Sequence, residues 1–166
     1  MPLGVYEDRL RDAILNAKRP AHEPLTMALG GLLAHRWQEE LLQFRPDVIV
    51  PVPMYWLRRL LRGVNSPEIL SAELSRVLGT PVARLLIRQR NTLPQKELLP
   101  RERFKNVRGA FRLRGKRIAR LEGSRVLLVD DILTTGATCS EAARVLKQAG
   151  VAAVAVAVVA RALGPT

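Results

Sequence analysis

Thirteen consecutive residues, Val126 to Thr138, constrain the fold of this chain more than any other segment; they read V-L-L-V-D-D-I-L-T-T-G-A-T. Four apolar residues in a row, without polar alternation, describe a strand buried on both faces. Asp130 and Asp131 then stand at its carboxyl end. Thr134, Thr135, Gly136, Ala137 and Thr138 follow as a tight turn, and Thr138-Cys139-Ser140-Glu141 has the spacing of a capping box that opens a helix. The predicted order is strand, acidic pair, turn, helix.

These residue types belong together chemically. A phosphate monoester is well held by the backbone N–H groups at a helix amino terminus, where unpaired donors and the helix dipole both favour negative charge. Gly136 lets the backbone come close, and the threonine hydroxyls add donors. Two carboxylates beside such a turn would repel a phosphate, so their natural partners are vicinal hydroxyls or a magnesium ion. A sugar 5-phosphate with free hydroxyls satisfies both halves.

A bare solvated turn with threonine caps accounts for each residue but not for their order. A receiver-type domain also places paired aspartates after a strand, but its doubly wound sheet needs several strands beyond them. Only one β-like stretch remains here, Val151 to Val159. No Gly-Lys-Ser/Thr follows Gly136, which excludes a P-loop, and a single glycine in the turn excludes a dinucleotide fingerprint.

The remaining sequence divides into alternating elements. Glu7 to Lys18 carries Leu10, Ala13, Ile14 and Ala17 at helical spacing, and Pro20 ends it. A second helix is predicted from Pro24 to about Gln43, with Leu25, Leu29, Leu33, Trp37 and Leu41 as its apolar stripe. Asp47 to Pro53 reads as a buried strand closed by prolines. Asn65-Ser66-Pro67-Glu68 supplies a cap, an N1 proline and a first-turn acid for a helix that Gly79 stops after Leu78. Pro81 to Ile87 is a candidate strand, and Ala110 to Leu113 a weaker one. Between them, Arg88 to Val107 reads as a mobile basic loop with a short helix near Arg101 to Asn106. The expected architecture is a mainly parallel α/β sheet with ligands beyond its strand carboxyl ends. It forms a single domain over residues 1–166, with a helical amino-terminal part (1–45) and an α/β core (46–166).

Charge is unevenly placed. Of the net charge of +12, a balance of +11 falls between Arg84 and Arg125, where fourteen Lys/Arg face three acids. That stretch points to an anionic ligand or a polyanion. Cys139 is the only cysteine, so neither an internal disulfide nor a cysteine-built zinc site can form within one chain. Its position in the first turn of the motif helix would lower its pKa, although a small packing residue is the plainer reading. His22 and His35 do not suggest a metal site. No signal peptide is read at the amino terminus, and the longest apolar run, Val151 to Ala160, is too short to span a bilayer. A cytoplasmic protein without a membrane span is expected.

The Val126–Thr138 run resembles the PRPP-binding motif of type I phosphoribosyltransferases at all thirteen positions. The resemblance narrows to the ComF competence-protein family. The chain shares P-V-P at 51 to 53, R-G-V-N at 62 to 65, and Thr92, Gln95, Leu98, Arg103, Asn106, Ala110 and Phe111 at that family's spacing. Similarity runs from about Tyr6 to the carboxyl end. The four-cysteine zinc module common in that family is absent, and Val64 and Ser66 stand where its members usually have Phe and Gln.

The resemblance implies a type I phosphoribosyltransferase-like fold and roles for specific residues. Asp130 and Asp131 would hold the ribose hydroxyls and act as the catalytic pair. Thr134, Thr135, Gly136, Ala137 and Thr138 would hold the 5-phosphate. Pro53, Arg58, Arg59 and Arg62 would receive the pyrophosphate. Thr92, Gln95, Lys96, Arg103 and Asn106 would belong to a loop that closes over the site. Magnesium would arrive with PRPP and take no direct ligand set from the protein. The acceptor is an unidentified nitrogen nucleophile, a nucleobase being the leading candidate. A homodimer, and a DNA or competence-machinery partner, are further expectations by analogy. The alternative is a non-catalytic PRPP-sensing or DNA-binding accessory protein.

Overall fold

A computed structural model describes residues 1–17, 19–57, 60, 63–93, 98–115 and 121–163. In chain order the elements are β1 (Pro2–Val5), α1 (Asp8–Ala17), a 3-10 turn (Pro20–His22), α2 (Glu23–Arg36), α3 (Gln38–Phe44), β2 (Val48–Pro51) and α4 (Ser66–Leu78). They continue with β3 (Leu86–Arg88), α5 (Pro100–Val107), β4 (Phe111–Leu113), β5 (Arg125–Leu133), α6 (Ala137–Gln148) and β6 (Ala153–Arg161). The main sheet is parallel throughout, in the order β1-β6-β5-β2.

The centre of that sheet is dictated by the apolar run. Val126 and Leu128 pack on one face with Ala142, Val145 and Leu146 of α6. Leu127 and Val129 pack on the other with Ile14, Leu29, Leu33, Leu70 and Leu74 of α1, α2 and α4. All four β5 residues are completely buried. Each such side chain contributes roughly 1.5–3 kcal/mol of transfer free energy, so β5 is the axis on which both layers depend.

Helices α2 and α4 approach closely through Gly30, where an added Cβ would lie 2.8 Å from Glu73 Cβ. Thr26, buried in α2, ties that helix to the end of α1 by donating its hydroxyl to the Ala17 carbonyl at 3.2 Å. The helix stop at Gly79 is as expected, with φ +67 and its N–H donated to the Ser75 carbonyl at 2.9 Å. Asn65 occupies the cap position, but its side chain makes no capping bond.

Three elements differ from the sequence expectation. The helix predicted from Pro24 to Gln43 is two helices, broken at Trp37, whose indole Nε1 donates to the Pro2 carbonyl at 2.7 Å. That bond turns the ring toward β1, itself an unpredicted edge strand paired with β6. The stretch from Pro81 to Ile87 is not one strand. Val82 makes a single parallel bridge to Ile49, and Leu86–Arg88 then joins β4 in a separate antiparallel pair. Within the basic stretch the expected short helix does form, as α5 over Pro100–Val107. The β3–β4 pair and α5 make a small second layer that packs on α6.

Candidate active site

The site is created by a difference in strand length. β2 stops where Pro51 pairs with Val129, and the Val52 N–H donates to the Val129 carbonyl at 2.8 Å. β5 continues four residues further beside β6, with Asp130 opposite Val158 and Leu133 opposite Arg161. Asp130 and Asp131 therefore flank an open crevice at the carboxyl end of the sheet, where open α/β sheets bind their ligands.

Each carboxylate accepts the N–H of the next residue: Asp130 Oδ1 from Asp131 at 2.9 Å, and Asp131 Oδ1 from Ile132 at 2.8 Å. The strand changes parity just after this pair. Before it, Val126 and Leu128 face the α6 side; after it, Leu133 packs there and Ile132 packs with Leu127 and Val129. The two acids diverge as successive strand residues do. Asp130 turns toward Cys139, whose thiol donates to Oδ2 at 3.8 Å. Asp131 lines a small cavity with Ile14, Thr26, Ser66 and Leu70 on the opposite side.

Burial raises the Asp130 pKa to about 8, and the neighbouring Asp131 charge pushes it the same way. The Asp131 N–H and the Arg88 charge oppose that shift. Burial also raises the Cys139 thiol well above its ordinary value, and the Asp130 charge adds to the effect. A helix-terminal position would lower it, but a thiolate here would be desolvated beside two carboxylates. Cys139 is thus a packed thiol and not an activated one.

The turn after β5 differs from expectation in one respect. The capping box Thr138-Cys139-Ser140-Glu141 does not form: Gly136, at φ +78, is the N-cap, the helix begins at Ala137, and no side chain caps it. Glu141 is engaged elsewhere. Its Oε1 accepts the Gly109 N–H at 2.8 Å and its carboxylate takes two bonds from Arg144, at 2.7 and 2.9 Å. An uncapped first turn presents its N–H groups outward. Thr135 Oγ1 is buried beside it with no hydrogen-bond partner among the described residues.

The other predicted residues fall in several places. Pro53 is half-buried in the loop leaving β2. Arg58, Arg59, Arg62, Gln95 and Lys96 lie outside the described residues. Thr92 is buried and bonded through its hydroxyl by the Arg88 guanidinium. Asn106 clamps Leu93, accepting its N–H at 3.1 Å and donating to its carbonyl at 3.0 Å. Arg103 Nε donates to the Leu98 carbonyl at 3.2 Å. These three side chains hold the backbone or side chains of the loop itself.

Arg88 is the functional side chain that sequence reasoning passed over. It lies on the inner face of β3, above the Phe111 ring at 5.4 Å, and its charge acts on Asp130. The signal was its place beside Leu86 and Ile87, which set the alternation that turns it inward. Among the described residues no group of three or more His, Cys, Asp or Glu converges as a metal site.

Comparison with known proteins bears on the family and the fold. The family described as the phosphoribosyl transferase domain matches residues 21–166. Competence protein F of Haemophilus influenzae is 37% identical over 107 residues, which is 64% of this chain and 46% of that protein. The DNA utilization protein YhgH of Escherichia coli K12 is 38% identical over 112 residues, 67% of this chain and 48% of that one. The chain thus spans about half the length of these curated relatives. Among solved structures, the glutamine phosphoribosylpyrophosphate (PRPP) amidotransferase of B. subtilis superposes with a TM-score of 0.52 at 25% identity. That match covers 80% of this chain and 25% of the amidotransferase.

Proposed function

Since this chain belongs to the phosphoribosyltransferase family, in the branch of the ComF competence proteins, we propose that it binds PRPP with magnesium and transfers ribose 5-phosphate to a nitrogen acceptor, a nucleobase in the leading case. The observation that carries this reading is the uncapped α6 turn at Gly136 with the orphaned Thr135 hydroxyl, directly after two acids that overhang the end of β2.

The 5-phosphate would sit on Thr134 to Thr138, taking backbone N–H groups and the Thr135 hydroxyl. A ribose ring seated across the end of β5 would meet Asp130 from one side and Asp131 from the other. The segment from Pro51 through Arg62 would receive the pyrophosphate, with Arg58, Arg59 or Arg62 offsetting its charge as it leaves. Two carboxylates are hard oxygen donors that suit magnesium, which keeps most of its coordination on water and substrate oxygens. When bound, that ion would screen the pyrophosphate and stabilise it as a leaving group. The protein's own work is positional: the acids orient the ribose, Asp131 favours positive charge at the anomeric carbon, and the hood of β3, β4 and α5 excludes water.

The test is calorimetric titration of PRPP, with and without magnesium, into the wild type, the Asp130→Asn/Asp131→Asn double variant and Gly136→Ala. Magnesium-dependent binding that both variants lose supports the site. Binding unchanged in both refutes it.

A second reading rests on the hood's outer surface, where Arg90, Arg101, Lys105, Arg108 and Arg112 are exposed. A PRPP-sensing or DNA-binding accessory protein would use that surface on phosphates, and its DNA affinity would fall steeply with salt. A competence role, a cytoplasmic location and a homodimer belong to the same proposal; no helix among the described residues is long and apolar enough to cross a membrane.

A further inference from the structure

A second cleft lies apart from the crevice over Asp130. It measures about 790 Å³ and lies at the sheet edge, between α4 and the segment that follows the Val82 bridge. Pro51, Ala72, Val82 and Leu85 give it an apolar floor, and Arg84, Glu68 and Arg114 line its polar rim. The two rim segments are tied together where the Arg114 N–H donates to the Leu85 carbonyl at 2.8 Å. None of the residues from Asp130 to Thr138 lines it.

Its charges are arranged for one anion and one polar edge. Arg84 Nη2 donates to Glu68 Oε2 at 2.7 Å, so one wall carries a donor and an acceptor of opposite sign. The exposed Arg114 guanidinium has no hydrogen-bond or ion-pair partner among the described residues. A guanidinium fork matches a phosphate or carboxylate in bidentate geometry. The apolar floor suits a ring, and the mixed wall suits a ring edge that both donates and accepts, as a nucleobase does. Because Glu68 also faces the cleft, a chain of several phosphates would meet repulsion that a single one avoids. The volume lies in the range of small-molecule sites, roughly 300–1,000 Å³.

We propose that this sheet-edge cleft is a second ligand site, for a nucleoside monophosphate, with Arg114 as the phosphate anchor and the Arg84–Glu68 pair facing the base. Pro51, in its floor, is the residue paired with Val129 immediately before Asp130, so an occupant touches the strand end that bounds the crevice. The inference stands independently of the PRPP reading.

The test uses 2′-deoxyadenosine 5′-monophosphate, which lacks the vicinal hydroxyls that the acidic pair would recognise, titrated calorimetrically into the full chain. Wild type and Gly136→Ala should bind it equally, Arg114→Ala should bind it at least about tenfold more weakly, and adenosine without its phosphate should also bind more weakly. No binding by the wild type at millimolar concentration overturns the proposal. So does equal binding by Arg114→Ala, or loss of binding in Gly136→Ala, which would place the nucleotide on the α6 turn. Titrating PRPP into the same variants separates the two sites. Arg114→Ala should keep PRPP binding, and a failure of PRPP to bind any variant counts only against the first reading.

Discussion

The Cys139 thiol lies 3.8 Å from Asp130 Oδ2, a contact that joins the first turn of α6 to the end of β5. It places the chain's single cysteine in the core and next to a carboxylate, where a thiolate is disfavoured twice, by burial and by charge. Thiol-specific reagents at pH 8 should therefore react slowly with the folded protein and at the ordinary rate after unfolding in urea. Prompt labelling of the native chain would show that the thiol is exposed.

Asp130 makes stability depend on pH in a defined direction. Its native pKa is raised to about 8 from 3.8, so the folded state holds a proton that the unfolded chain releases. That advantage is complete below the unfolded value and is lost as pH rises through the native one. Urea midpoints should fall between about pH 4 and pH 8, with a limiting slope near 1.4 kcal/mol per pH unit. Asp130→Asn should flatten that segment and be more stable than wild type at pH 8.5. Parallel profiles for the two proteins would contradict it.

Glu141 holds the hood to α6 through Gly109, whose φ of +66 fixes the turn before β4. Glu141→Ala removes a charged acceptor from a part-buried N–H and should cost about 1–3 kcal/mol. Amide exchange should quicken most in β3, β4 and α5, because those elements lose their tether while the main sheet keeps its own bonds. Uniform quickening across the molecule would argue against a local tether.

At Gly30 the prediction concerns space. A Cβ there would meet Glu73 Cβ at 2.8 Å, and both atoms belong to helix walls that cannot rotate away. Gly30→Ala should destabilise the fold by roughly 1–3 kcal/mol despite the better helix propensity of alanine. Gly31→Ala, with nothing within 4 Å, is the control and should be neutral or stabilising.

The strand, turn and helix around the acidic pair were legible because four continuous apolar residues admit few other folds, and glycine marks the turn. The end of β5 was not: its last residues stay in the ladder because β6 continues beside them, which no local signal records. The edge strand β1 contains a proline and a glycine and owes its form to pairing with residues more than 150 positions away. Trp37 looked like one more stripe residue, yet its indole bond to Pro2 divides the helix. The capping box failed for a similar reason, since Glu141 found a better partner in Gly109 and Arg144. Asp130, Asp131 and the Thr134–Thr138 turn were named from sequence alone; Arg88 was not, because the alternation that turns it inward spans only three residues in a stretch rich in cations.

The parity change just after Asp130 and Asp131 has an evolutionary corollary. Deleting either residue would swap the sides on which Ile132 and Leu133 are buried and draw the Gly136 turn across the strand, so the reading frame of the core and the spacing of the site are one and the same. Substitution can retune these two positions, but insertion and deletion cannot. Descendants of this chain are free to change what they bind here only by exchanging side chains in place.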